Sequence, residues 1–207
     1  MFIQITQGRA TNPPGIRRDL GRWQRQLAAG ADGWLGSTTG ITEDGWSLSV
    51  IRFASEDDAR RNGERPEQRE WWRDASQHLA RVVFHDARKV HTYLDGGSDA
   101  AGFVQIIQGR THDMERLVGL GRDQDEVLAL DAPHILGRTL AEHADRPGDF
   151  TQTTYFTSEQ DARRSEQERS ARADELARDE LRSLMTDLRY FDLRDPQLLS
   201  PAATPTY

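Results

Sequence analysis

The chain repeats itself, and this restricts the folds open to it more than any other feature of the sequence. Phe2-Ile3-Gln4-Ile5-Thr6-Gln7-Gly8-Arg9 returns as Phe103-Val104-Gln105-Ile106-Ile107-Gln108-Gly109-Arg110, with six identities in eight positions at a spacing of 101. At the same spacing Leu35-Gly36-Ser37-Thr38 returns as Leu136-Gly137-Arg138-Thr139, and after a two-residue slip Phe53 to Arg61 returns as Phe156 to Arg164. The order of the matches is kept. A last echo closes each half, where Phe84-His85-Asp86-Ala87-Arg88 resembles Tyr190-Phe191-Asp192-Leu193-Arg194. The expected organisation is a first repeat over 1–95, a polar linker over 96–101, a second repeat over 102–196, and a surface tail over 197–207.

Within each copy the periodicity predicts strand, helix, strand, strand, helix, strand. Phe2, Gln4 and Thr6 alternate with Ile3, Ile5 and Gln7, as a strand with two differently lined faces requires. After Asn12-Pro13-Pro14-Gly15, a helix places Ile16, Leu20, Trp23 and Leu27 on one stripe and stops near Ala29-Gly30. A hairpin follows, with arms from Trp34 to Thr42 and Trp46 to Phe53 joined at Glu43-Asp44-Gly45. Ser55 with Asp58, and Ser158 with Asp161, have the spacing of a capping box at the start of the second helix. Gly63 and Pro66 break that helix in the first copy, with a second segment expected to reach Leu79. The last strand is expected over Val82–Leu94 in the first copy and Asp187–Leu193 in the second. In the second copy Leu181, Leu184, Met185 and Leu188 are read as an aliphatic helical stripe.

A βαββαβ unit of this length is ferredoxin-like, α+β, with four antiparallel strands under two helices. Two in one chain are expected to pack sheet to sheet as a pseudo-dimeric α/β barrel with internal two-fold symmetry. On this element order, and on Phe53, Ser55, Ala59 and Phe156, Ser158, Ala162, the chain resembles the dimeric α/β-barrel superfamily. That superfamily holds antibiotic-biosynthesis-type monooxygenases, haem-degrading monooxygenases and stress-responsive barrels. The resemblance implies a tandem fusion and an oxidoreductase of the monooxygenase type. The haem-degrading residues are not matched: Asn62 stands where the helical Trp belongs, Gln7 replaces the strand Asn, and only His78 is a loose analogue of the haem ligand. No cofactor is therefore expected, haem being the weakly supported exception.

Composition excludes other classes. With no cysteine there is no thiol nucleophile, disulfide framework or cysteine-based metal site. No apolar run approaches the roughly 20 residues that span a bilayer, and Met1-Phe2-Ile3-Gln4 is not the start of a secretory signal. A cytoplasmic protein is expected, without a membrane partner. The net charge is −7, and Arg alternates with Asp and Glu, which disfavours nucleic acid. There is no nucleophile elbow and no P-loop. Gly119-Leu120-Gly121 fails the dinucleotide fingerprint at Gln124. His85 and His91 are read as six apart on one strand, too far for one ion, so no metal is expected.

The two copies differ in ways that point to one site. All five Trp lie in the first half, and charge is uneven: residues 1–101 are neutral overall, while residues 102–207 carry the net −7. Aromatic side chains provide broad rigid apolar area suited to a hydrophobic or planar small molecule. Trp23, Asn62, Trp71, Trp72 and His78 are the candidate ligand-binding residues, with His78 the best candidate for a catalytic base. The competing reading is a non-catalytic barrel serving stress response or protein interaction, with the Trp as core. Gln4 with Gln105, and Gln7 with Gln108, are symmetric and so are read as structural. The Arg and Glu of 163–182 are read as a solvated helix face. A monomer is expected, with further dimerisation through helices or edge strands left open.

Overall fold

The computed structural model describes residues 1–172, 180, 181 and 183–201, the side chains of 124, 126–128 and 168–172 apart. Part of the charged lattice read over 163–182, and the end of the expected tail, lie outside the described residues. The chain forms two compact units, Met1–Arg88 with the segment from Gln197 onward, and Lys89–Pro196.

The first unit is built on strands β1 (Phe2–Ala10), β2 (Trp34–Ile41), β3 (Trp46–Phe53) and β4 (Leu79–Ala87), with helices α1 (Pro13–Gln26), α2 (Glu56–Glu64) and α3 (Pro66–Ser76). The second has β5 (Lys89–Tyr93), β6 (Phe103–Thr111), α4 (Met114–Asp131), β7 (Ile135–Glu142), β8 (Asp149–Phe156), α5 (Glu159–Arg172) and β9 (Met185–Leu193). Strand β10 (Gln197–Leu199) returns to the first unit. The sheets run β10-β2-β3-β1-β4 and β5-β7-β8-β6-β9, all antiparallel. Each is the ferredoxin-like order with one extra edge strand.

Local chemistry sets the element ends. Asn12 caps α1 by accepting from the Gly15 amide at 3.1 Å, with Pro13 at the first turn where its missing N–H costs nothing. Ser55 accepts from the Asp58 amide at 3.1 Å and Ser158 from the Asp161 amide at 3.2 Å, so both serines cap their helices, and each hydroxyl donates in turn to the Asp carboxylate. Gly45 takes a positive φ of 85° in the hairpin turn, and Gly148 takes 88° in the copy. Arg65 is extended before Pro66, which separates α2 from α3. A bulge also repeats: Arg81 and Asp187 both sit at φ 55°, where β1–β4 and β6–β9 shift register.

Four expectations are corrected. The strand read as Val82–Leu94 is two strands in different sheets, parted at Arg88, whose guanidinium holds Glu56 through two contacts of 2.6 Å. His85 and His91 therefore do not share a strand. The surface tail instead contributes β10, whose residues pair with Ser37–Thr39 and cover the edge of β2. The expected boundaries accordingly differ from the two units: 89–95 falls in the second, and the segment from 197 in the first. Helix α3 stops at Ser76, so His78 lies in a turn and Leu79 begins β4. Met185 and Leu188 are likewise in β9, beginning ahead of Asp187, and not on a helix.

Candidate functional site

A cavity of about 270 Å³ lies in the first unit between the sheet and its three helices, near the lower end of the roughly 300–1,000 Å³ of small-molecule pockets. Alternation along the strands decides its floor: Gln4 and Thr6 of β1, Ser37 and Thr39 of β2, and Ser47, Ser49, Ile51 and Phe53 of β3 line it. Five of these eight are small hydroxyl residues. Thr39 Oγ1 donates to Ser49 Oγ at 3.0 Å, and Gln4 Nε2 donates to Asp86 Oδ1 at 3.2 Å. Thr6, Ser37 and Ser47, all buried, make no side-chain hydrogen bond among the described residues, and so retain unused donors and acceptors.

The roof is aromatic and held from outside. Trp23 meets Trp34 edge-on with centroids 4.8 Å apart, and Trp23 Nε1 donates to Gln68 Oε1 at 2.7 Å. Trp71 Nε1 donates to the Asp19 carbonyl at 2.8 Å, tying α3 to α1, and Arg22 reaches Asp74 at 3.0 Å. Asn62 is buried at the cavity wall and accepts from Arg65 at 3.0 Å, which also donates to the Leu27 carbonyl. Trp72 faces Phe84 at 5.4 Å, and Phe84 is about half exposed, so this pair forms part of the mouth. Leu199 of β10 completes the wall.

Of the five candidate residues, Trp23, Asn62, Trp71 and Trp72 line this cavity and His78 does not. His78 Nε2 lies 3.3 Å from Asp19 Oδ2, its Nδ1 lies 3.2 Å from Asn12 Nδ2, and its carbonyl accepts from Thr11. The ring fastens the start of α1; a Cβ on Gly15 would sit 2.6 Å from it. A helix reaching Leu79 would set His78 on the face of Trp71, but α3 ends at Ser76, two residues short of it. Among the described residues, the cavity lining includes no imidazole, carboxylate, thioether or phenol side chain.

Trp34, Gln68, Phe84, Leu199 and the hydroxyl floor were not found from the sequence. A usable signal existed in the repeat, since Thr6, Thr39 and Ser47 stand where the second copy has Ile107, Leu140 and Phe150. Gln105 donates to Glu166 at 2.8 Å and to Asp192 at 3.2 Å, and Gln4 lines the cavity, so this symmetric pair lies on the helix-facing side of its sheets, while Gln7 falls on the other face of β1 with Ile3 and Ile5.

No family model matches the chain, and no curated protein matches it. Solved structures do. A candidate monooxygenase of Lactobacillus acidophilus aligns with TM-score 0.71 at 10% identity, over 96% of this chain and 99% of that one. One from Fusobacterium nucleatum aligns with TM-score 0.73 at 8% identity, over 96% and 94%. An anthrone oxidase-like protein aligns with TM-score 0.67 at 14% identity, over 99% and 96%. The likeness to these structures is one of fold, and residues must carry anything further. Among the described residues no helix is long and apolar enough to cross a membrane.

Proposed function

We propose that the chain is a monooxygenase-like protein that binds a flat, largely apolar small molecule in the first-unit cavity. The observation that carries this reading is the pairing of an aromatic roof with a hydroxyl and amide floor. Rings stack against the indoles, while oxygen substituents on the ligand's edge meet Thr6, Ser37, Ser47 and Asn62. Since no carboxylate or imidazole among the described residues lines the cavity, oxidation there depends on a substrate acidic enough to form its own enolate. The floor then stabilises developing oxyanion charge by hydrogen-bond donation.

An anthrone is one such substrate class. Dioxygen adds to the activated ring carbon; one oxygen atom becomes the new carbonyl, and the other leaves as water with that carbon's two hydrogens. The substrate supplies all four electrons that reduce dioxygen, so this reaction balances without a further reductant.

The test is Trp fluorescence titrated with anthrones and other flat phenols, with oxygen uptake followed in parallel. Four of the five Trp line the cavity, so binding should quench saturably. Ser47→Phe, which blocks the floor, should abolish both signals. Quenching by none of these compounds would favour the non-catalytic, protein-interaction reading.

A further inference from the structure

We propose that Arg69 makes the cavity selective for ligands that carry an acidic group beside their ring system, an inference that rests on the binding site proposed above. The chain is acidic overall, yet among the described residues the one charged side chain lining the cavity is a cation. Its neighbours are all committed elsewhere. Arg60 pairs with Asp57 and Glu64, Arg61 with Asp58, Arg65 with Glu67 and Arg73 with Glu70 and Asp74. Arg69, exposed on α3, has no ion pair among the described residues.

Position gives this cation a use. Arg69 and Trp72 are three apart on α3 and so share a face, and Trp72 meets half-exposed Phe84. A ring system held under the indoles therefore directs its outer edge toward Arg69 at the mouth. There a carboxylate keeps part of its hydration, so pairing with guanidinium avoids the full cost of burying a charge. The positions one turn to either side, Arg65 and Arg73, carry no carboxylate, and their own charges are met by Glu67, Glu70 and Asp74.

The experiment compares 2-naphthoate with 2-naphthamide, which share ring shape and differ in charge. Both are titrated by calorimetry into the full chain, Arg69→Gln, Arg69→Glu and the floor-blocked Ser47→Phe. We expect naphthoate to bind about 2–5-fold more tightly than naphthamide at low salt, the range of a partly exposed ion pair. That preference should vanish in Arg69→Gln, reverse in Arg69→Glu and shrink at about 1 M salt. Ser47→Phe should remove both ligands. Equal binding of the two probes, or a preference that survives Arg69→Gln, overturns the role of Arg69 while leaving the cavity as a binding site. Failure of both probes to bind the unaltered chain overturns the cavity reading and this one together.

Discussion

The two units have one fold and opposite interiors. In the second, Leu140 and Phe150 point from the sheet to the helices and pack with Tyr93, Leu117 and Val118 in a buried cluster. In the first, strand pairing puts Thr39 and Ser47 at the places of Leu140 and Phe150, and Leu199 of β10 at the place of Tyr93 of β5. Tyr93 reaches the Val118 carbonyl at 3.2 Å, and Gly121 gives its ring room, since a Cβ there would lie 2.6 Å from the hydroxyl. The comparison separates what the fold requires from what the site requires. Capping serines, the Gln–Asp pair between first and last strands, and the Arg–Glu pair at the end of the last strand occur in both copies. The large-to-small exchanges on the floor occur in one.

Exchanging the floors should therefore separate stability from binding. The largest effect is expected from Phe150→Ser, which removes a fully buried ring and leaves a polar group in its place, at a cost of about 3–5 kcal/mol. Urea unfolding measures it, and a loss under about 1 kcal/mol would mean that the second unit is not held by this packing. The converse change is smaller and of opposite sign. Ser47→Phe, with or without Thr39→Leu, fills existing space and should stabilise by about 0.5–2 kcal/mol while abolishing ligand binding. If Ser47→Phe binds as well as the unaltered chain, the ligand lies elsewhere.

Much of the fold was legible because it is local. The hairpin around Gly45, the helix break before Pro66 and the caps at Ser55 and Ser158 each follow from a few adjacent residues. The edge strands were not legible, because Val82 to Leu94 reads as one β-rich run and nothing within it says that chain on either side of Arg88 joins different sheets. Trp23, Trp71 and Trp72 line the cavity because an apolar stripe is a helical property, and Asn62 was singled out by its place in the resemblance, on α2. His78 does not line it, since its position depends on where α3 ends, and Gln77 and His78 turn the chain toward β4. The hydroxyl floor needed a comparison of the copies strand by strand, which the repeat offers once register is known.

The shared features give a control on this contrast. Ser55→Ala and Ser158→Ala each remove a side chain that accepts one helical amide, and each should cost about 1 kcal/mol. Chemical denaturation checks whether the two losses agree to within about 0.5 kcal/mol. A much larger loss at one of them would show that the caps, like the floors, have diverged.

The smallest expected effect is one of pH, and it belongs to the second unit alone. Burial pushes the His91 pKa below its ordinary value of about 6.5; the charges of Arg122 and Lys89 act in the same direction, and Glu142 acts against them. The folded chain therefore takes up this proton less readily than the unfolded chain. Above the ordinary value both states hold neutral imidazole and the full contribution is present. As pH falls, the unfolded state gains its proton first, so the contribution declines until the folded imidazole is also charged. His91→Gln should remove this dependence, narrowing the loss of melting temperature between about pH 7.5 and pH 5.5 by about 1–2 °C. In β10 the place of His91 is taken by Gln197, which cannot titrate, so this is a difference that the edge strands introduce. A melting curve whose pH dependence is identical in His91→Gln would place the acid sensitivity of the second unit on other groups.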